Sequence, residues 1–461
     1  MKKFQFAAGL LAAGLLASCS SDAPDMPNGG NATPGSDEEV VATLAVRIAP
    51  SVTRASGDTE NGTDVESKIN GVRVYVVRDD EARTRVFTGY TNTLESGTAK
   101  IAITKDRYDV LTTEKEAGTP YQYRVYVVCN ANENVTSLTA DQEIDGTTDG
   151  VSKIATDNNF TMTNASAEPV TLIKETSGET TILKVPDVIK VDRLAVRYDY
   201  TAPAIMNIAG KEEDVAKDFN DNNSIKLEVV GATLENLNLK DYLFPHRGGV
   251  AFGTTGYWNT PNFTMPGVKP FSEYTYSGIT KYGFACGYPG DTTTPFKDFT
   301  YAAFKVKMDL SESKFNGMTG NLYAYNHILL GDEQALKDQT FDTGNEDTNK
   351  AIIQMVESLS LREGTSGFNF SEEWSKMSGY DVYSQAEDGN YYTYYARNIK
   401  TGTDLQIIRN HVYKLSIKSF AKLGVPGDMT PEQQEEKVES LLFQFAVEVN
   451  PWTIEENAWD L

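Results

Sequence analysis

Apolar and polar residues alternate with period two along much of this chain, and turn-forming clusters break the alternation at short intervals. Val40 to Ile48 shows it plainly, with Ala42, Leu44, Val46 and Ile48 on one face. A β-strand sends successive side chains to opposite faces, so such a run forms a strand with one buried side. The pattern recurs at 71–77, 100–104, 122–128, 193–200, 225–230, 301–308, 391–396, 412–418 and 442–449. Between these runs lie turn clusters such as Glu95-Ser96-Gly97-Thr98 and the stretch 145–150. A complement of 24 Tyr and 20 Phe, beside abundant Thr and Val, agrees with β-structure. Helices are expected at 333–339, 350–359 and 431–442, the last with Thr430 as N-cap and Pro431 in its first turn. Strands joined by polar turns, with little strand–helix alternation, indicate an all-β chain built from antiparallel sandwiches.

The length of 461 residues allows two to three domains, each able to bury a core. The stretch 180–185 completes one block of strands, and Arg193-Leu194-Ala195-Val196-Arg197-Tyr198 opens another, so a boundary is expected near 186–192. The second block is larger, and its Gly-, Thr- and Tyr-rich middle (248–295) suggests long loops or an insertion. With 42 basic against 65 acidic side chains the formal charge is −23. Nucleic acid and anionic membrane faces would repel such a surface and are disfavoured as main partners.

The N-terminus speaks to compartment. Met1-Lys2-Lys3 precedes an apolar Ala/Leu/Gly stretch at 4–18, too short for an ordinary membrane-spanning helix and of the length of a signal peptide. It ends in Leu16-Ala17-Ser18-Cys19, which resembles the bacterial lipobox. The implied processing is diacylglycerol on the Cys19 sulfur and cleavage before Cys19, giving an acylated (palmitate-bearing) lipoprotein of the cell outer membrane. The plainer alternative is a secretory signal with an incidental cysteine. Residues 20–39 carry almost no large apolar side chain and read as a flexible tether. Cys129 and Cys286 belong to no C-x-x-C pair and are expected as separate buried thiols.

Motifs that carry chemistry are absent. His246, His327 and His411 are too far apart in sequence for a short metal-ligand spacing. The run 218–223 opens like a calcium loop, but Asn223 replaces the needed glycine and Val229 stands where a bidentate Glu is required. Ser311-Glu312-Ser313-Lys314 matches S-x-x-K without its companion motifs. No G-x-S-x-G, P-loop or G-x-G-x-x-G occurs. The expectation is a chain that is not an enzyme and needs no cofactor or metal.

What remains is an arrangement of features. Between residues 20 and 60 the only basic side chains are Arg47, inside the strand pattern, and Arg54, in the small polar loop Pro50-Ser51-Val52-Thr53-Arg54-Ala55-Ser56-Gly57. Loops of that kind are preferentially nicked. Near the other end, 442–449 alternates as a strand up to Asn450-Pro451, taken as a proline break. After it Trp452 to Leu461 reads as a short extended tail.

In these features the chain resembles the type V pilins, the fimbrillin family of Gram-negative anaerobes that includes major and minor fimbrial shaft subunits. The resemblance rests on Leu16-Ala17-Ser18-Cys19, on Arg54 after the first strand, and on Arg193-Leu194-Ala195-Val196-Arg197. It rests also on Arg409-Asn410-His411-Val412-Tyr413-Lys414-Leu415 and on Val447-Glu448-Val449-Asn450-Pro451-Trp452-Thr453. It implies two tandem transthyretin-like β-sandwich domains with a few short helices. It implies too that an arginine-specific maturation protease cuts between Arg54 and Ala55, removing the lipid, the tether and the strand that carries Leu44, Val46 and Ile48. An extended segment of a neighbouring subunit then fills the vacancy; here the donor would be the tail with Trp452, Ile454, Ala458, Trp459 and Leu461. Ile454 and Ala458 share a face with Glu456 and Asp460, while Trp459 and Leu461 take the other, so a bulge or a register shift is needed.

The corresponding division is signal peptide 1–18, tether and propeptide strand 19–54, sandwiches 55–190 and 191–450, and donor tail 451–461. The partners implied are copies of the chain, other fimbrial subunits and adhesion targets on host or bacterial surfaces, and the final location is an extracellular fimbrium. Three readings stay open beside the shaft subunit: an anchor that keeps its lipid and first strand, a tip, and a surface glycan-binding lipoprotein of a nutrient-uptake system. The last would use exposed aromatics around Tyr274-Thr275-Tyr276 or Tyr391-Tyr392-Thr393-Tyr394-Tyr395. The lesser alternatives are that Arg54 is an ordinary loop arginine and that Trp452–Leu461 is a last strand of its own domain.

Overall fold

A computed structural model describes residues 39–50, 60–80, 85–130, 143–145, 154–164, 168–177, 180–201, 205–209, 220, 223–235, 240–243, 279–287, 300–399, 401, 406–427 and 443–453. The chain is all-β with a few short helices. Ten strands of the first half hydrogen-bond into one continuous sheet that folds over its own core. One run comprises Ile173–Ser177, Thr180–Lys184, β1 (Val40–Pro50), Thr98–Thr104 and, paired with the last, the short Leu94–Glu95. The other comprises Ile189–Arg193, Met162–Thr163, Tyr123–Cys129, β3 (Val72–Arg78) and Arg85–Thr91. β1 belongs to both, because its first part pairs with Thr181–Lys184 and its end with Ile189–Val191. β3 is buried on both faces over Val72–Val77.

The second half begins where Ile189–Arg193, in the first sheet, gives way at Leu194 to Ala195–Thr201, in another. That strand lies between Ile279–Phe284 and His411–Phe420, and the final strand Phe443–Thr453 follows on the far side of His411–Phe420. The outermost member is β2 (Glu60–Asn61), which comes from the segment between β1 and β3. Facing this sheet is a four-stranded one of Met206–Asn207, Lys226–Glu235, Tyr301–Asp309 and Tyr391–Asn398, and an apolar core fills the space between them. A third unit follows Tyr301–Asp309 in the chain. Its three strands, Ile328–Asp332, Asn321–Tyr325 and Tyr380–Ser384, pack with helices Glu333–Lys337, Glu346–Ser360 and Phe370–Ser375 around a core of their own.

Several expectations need correction. The run 193–200 is two strands, because the alternation passes unbroken through Leu194 while the chain changes sheets there. Pro451 does not end the last strand: the ladder continues to Thr453, with Pro451 opposite His411, since a proline gives up only its own N–H donor. Two of the expected helices are present, and the third, 431–442, lies outside the described residues. The insertion with a core of its own is at 321–384; the expected one at 248–295 falls mostly outside the described residues. Cys129 is a buried free thiol whose ionisation burial pushes far up.

A buried strand in mid-sheet: the candidate functional site

β1 places Ala42, Leu44, Val46 and Ile48 inward, with Leu44 and Val46 both 0% exposed, while Val40 (50% exposed) and Arg47 face solvent. Its antiparallel partner is Thr98–Thr104, with Leu44 opposite Ile101 and Val46 opposite Ala99. On the other flank the pairing is parallel, Leu44 opposite Leu183 and Ile48 opposite Ile189. Further bonds tie it in: the Ile48 N–H donates to the Gly97 carbonyl (2.9 Å), and the Val185 N–H to the Ala45 carbonyl (3.0 Å). A strand so placed is internal, with neighbours on both sides, yet it stands at the start of the described chain.

Those two facts define what the site does physically. Were β1 withdrawn, Thr98–Thr104 on one side and Thr181–Lys184 with Ile189–Val191 on the other would each present an unpaired backbone edge. The slot between would be floored by apolar side chains. Reburying the inward residues is worth about 5–10 kcal/mol, taking roughly 1.5–3 kcal/mol for each large side chain. Exposed edges with an apolar floor accept a foreign strand, whose main chain supplies affinity and whose alternate side chains supply specificity. The register also fixes polarity: a replacement that repeats these bonds runs antiparallel to Thr98–Thr104 and parallel to both other neighbours.

Two family profiles match this chain. One, described as the major fimbrial subunit protein FimA, covers residues 42–227, beginning within β1; the other, the C-terminal part of fimbrillin, major fimbrial subunit protein type IV, covers 383–458. Together they account for more than half of the sequence. The chain belongs to the fimbrillin family. Among solved structures, this fimbrillin is similar to a fimbrilin from Porphyromonas gingivalis at 14% identity and a TM-score of 0.41, over 90% of this chain and 99% of that one. It is similar also to a tip fimbrial protein with C-terminal truncation from the same organism, at 11% identity and a TM-score of 0.36, over 89% and 99%. A fimbrial assembly protein from Parabacteroides distasonis matches at 12% identity and 0.28, over 59% and 83%. No curated protein matches the chain at a significant level.

The structure brings Leu44, Val46 and Ile48 of the fimbrillin together on one buried face. Trp452 lies within the final strand, its Cα opposite Glu60 of β2. Cys19, Arg54, Ala55, Ile454, Ala458, Trp459 and Leu461 lie outside the described residues. The motif arginines converge where the two sandwiches meet: Arg193, Arg197 and Arg409 are all buried there, beside Asn410. Reading the sequence missed the residues that line the slot, Ala99, Ile101, Ile103, Leu183 and Ile189. Their alternation was visible, but nothing local says which strands flank β1. It also missed Glu66, whose carboxylate is buried where the two sandwiches meet.

Of the aromatic cluster weighed for glycan stacking, Tyr391 and Tyr395 are buried in the second core. Tyr392 faces outward, its hydroxyl donating to Asp388 and Lys305 Nζ lying 3.9 Å from its ring centroid. Burial, then the hydrogen bond to Asp388, raises Tyr392 to about 12, and that bond lowers Asp388 to about 2. Tyr274 and Tyr276 lie outside the described residues. Among the described residues no group of His, Cys, Asp and Glu is arranged to hold a metal, and no helix is long and apolar enough to cross a membrane.

Proposed function

We propose that this fimbrial subunit is a structural pilin without catalysis of its own, assembled by strand exchange at the β1 slot. It is exported as a lipoprotein carried on Cys19 and held at the outer membrane until an arginine-specific protease cuts between Arg54 and Ala55. β1 leaves with the lipid and tether, and an extended segment following the final strand of a neighbour, containing Ile454, Ala458, Trp459 and Leu461, takes its place. Repetition of this head-to-tail contact gives an open filament. The observation that carries the reading is the position of β1: internal to the sheet, fully buried on one face, and followed in the sequence by the segment that contains Arg54. Adhesion follows from the filament, through copies of this chain and other fimbrial subunits.

N-terminal sequencing of surface filaments tests it. The expected first residue is Ala55, and Arg54→Ala accumulates uncut, lipidated monomer. Filaments whose subunits begin at Cys19 and retain β1 identify an anchor subunit instead. Deleting 454–461 leaves folded, processed subunits that form no SDS-resistant ladder; normal ladders from that deletion exclude the donor assignment.

A further inference from the structure

The segment that leads from β1 to β3 visits the other sandwich on its way. β2 runs parallel to the end of the final strand, with Glu60 opposite Trp452 and Asn61 opposite Thr453. Four residues of helix follow, α1 (Asp64–Ser67), and by Val72 the chain is inside the first sandwich. The carboxylate of Glu66, 2% exposed, is the hub of this passage. Its Oε2 accepts the N–H of Thr63 (2.6 Å) and Nη1 of Arg197 (3.1 Å), and its Oε1 accepts the hydroxyl of Tyr282 (2.6 Å). Arg197 and Tyr282 stand on adjacent strands of the second sandwich, directly opposite each other.

The main chain is held as well. The Glu66 carbonyl accepts Nε of Arg193 (3.0 Å), and Ser67 Oγ accepts its Nη2 (3.3 Å). Asn410 locks the far side of Arg193, its Oδ1 accepting the Arg193 N–H (3.2 Å) while its Nδ2 donates to Asp192 (3.0 Å). Arg197 is steadied from behind by Asp199, which accepts from Nη2 at 2.9 Å. Around this lies an apolar seam in which Leu194, Ala195, Phe284 and Val412 join the core of the first sandwich. Apolar contact resists separation and tolerates sliding. A buried, directional ion pair does not tolerate sliding, because displacement strands a charge without its partner.

We propose that Glu60–Ser67 is a clasp, pinned by Glu66, that fixes the orientation of one sandwich on the other and stays in place when the strand before it is removed. Glu60 and Asn61, which follow the cut, then stay paired with Trp452 and Thr453 and cover the outer edge of the final strand at that point. The first half stands on the contacts alone. The second rests on the proposed cleavage after Arg54.

Hydrogen–deuterium exchange and small-angle scattering on the full chain test the first half. Glu66→Gln is expected to speed exchange across Glu60–Ser67 on the order of a hundredfold and to broaden the distribution of interdomain distances, with exchange in β3 unchanged. Tyr282→Phe removes one hydrogen bond and leaves the charges paired, so it reports if Glu66→Gln fails to fold; about tenfold faster exchange in the same segment is expected. Exposed Glu95→Gln serves as control. Wild-type exchange and scattering in both junction variants would overturn the clasp. For the second half, the full chain nicked after Arg54 should keep wild-type protection over Glu60–Ser67, and loss of that protection on nicking would overturn retention. A chain that is never cut there in cells leaves the first result standing and removes the proposed maturation, so the two failures are distinguishable.

Discussion

Leu44 illustrates how one side chain reports on two states of the molecule. It is wholly buried between Ile101 and Leu183, so Leu44→Ala should cost the uncut chain about 2–5 kcal/mol, read by chemical unfolding of the first sandwich. If β1 is removed on assembly, as proposed, the same substitution should leave the stability of filaments unchanged. A filament weakened by it still contains β1. Tyrosines give a second residue-level expectation. Tyr383 and Tyr395 are buried, their hydroxyls donating to the carbonyls of Gly424 and Lys422 (2.7 Å each), and burial raises both above the usual phenol range. Tyr282 is raised by burial first and then by its bond to Glu66. In the unfolded chain a phenol ionises near pH 10, before these do, so rising pH favours the unfolded state. Stability should be full below about pH 10 and fall as pH climbs toward the folded values. Alkaline titration should show a late, cooperative tyrosinate transition coincident with loss of structure; early, graded ionisation of all phenols would contradict it.

At the scale of elements, what the sequence made legible follows from period. Val72–Arg78, Thr98–Thr104, Tyr123–Cys129 and Tyr301–Asp309 were visible because a half-buried strand must alternate or run apolar. β2 was not, since two residues carry no period. Glu66 was not, since an acidic residue in a four-residue helix gives no local sign of burial. The neighbours of β1 were hidden for a different reason: pairing is non-local, and Thr181–Lys184 is far from Val40–Pro50 in sequence. Helices Glu333–Lys337 and Glu346–Ser360 were foreseen singly, but their common core was not, because Trp374 and Tyr323 come from separate segments. Trp374 is 0% exposed, its ring 5.3 Å from that of Tyr323 and 5.0 Å from that of Tyr380. Trp374→Ala should cost this unit about 3–5 kcal/mol and raise hydrogen exchange in Asn321–Tyr325 and Phe370–Ser375. Exchange in the first sandwich should hold steady, because its core shares no residue with this unit, whereas Leu322, Ala324, Leu329 and Tyr383 of the unit's strands pack into the core of the second. Loss of protection in the first sandwich as well would show all three to be one cooperative body.

For the whole molecule to polymerise in the proposed way, the slot must exist as a binding site once β1 is absent. Both flanks of the strand and the floor beneath it are supplied by parts of the chain that follow Arg54, so the receptor and its first occupant are separable in principle. A chain beginning at Ala55 should therefore melt below the full chain and bind a synthetic peptide of the sequence Val40–Pro50. Binding to the folded state alone stabilises by mass action, about 2.7 kcal/mol at a hundredfold excess over Kd. For a body of 150–250 residues that corresponds to a Tm rise of roughly 5–10 °C. The same peptide with Leu44→Asp should give none, since a carboxylate at a fully buried position lacks any partner there. A peptide of reversed sequence keeps the alternation but inverts chain polarity against Thr98–Thr104, and its weaker effect would separate strand matching from simple hydrophobic adhesion. If the chain from Ala55 is as stable as the full one and indifferent to all three peptides, the sheet closes over the gap by itself. Filament growth must then use a surface other than the place of β1.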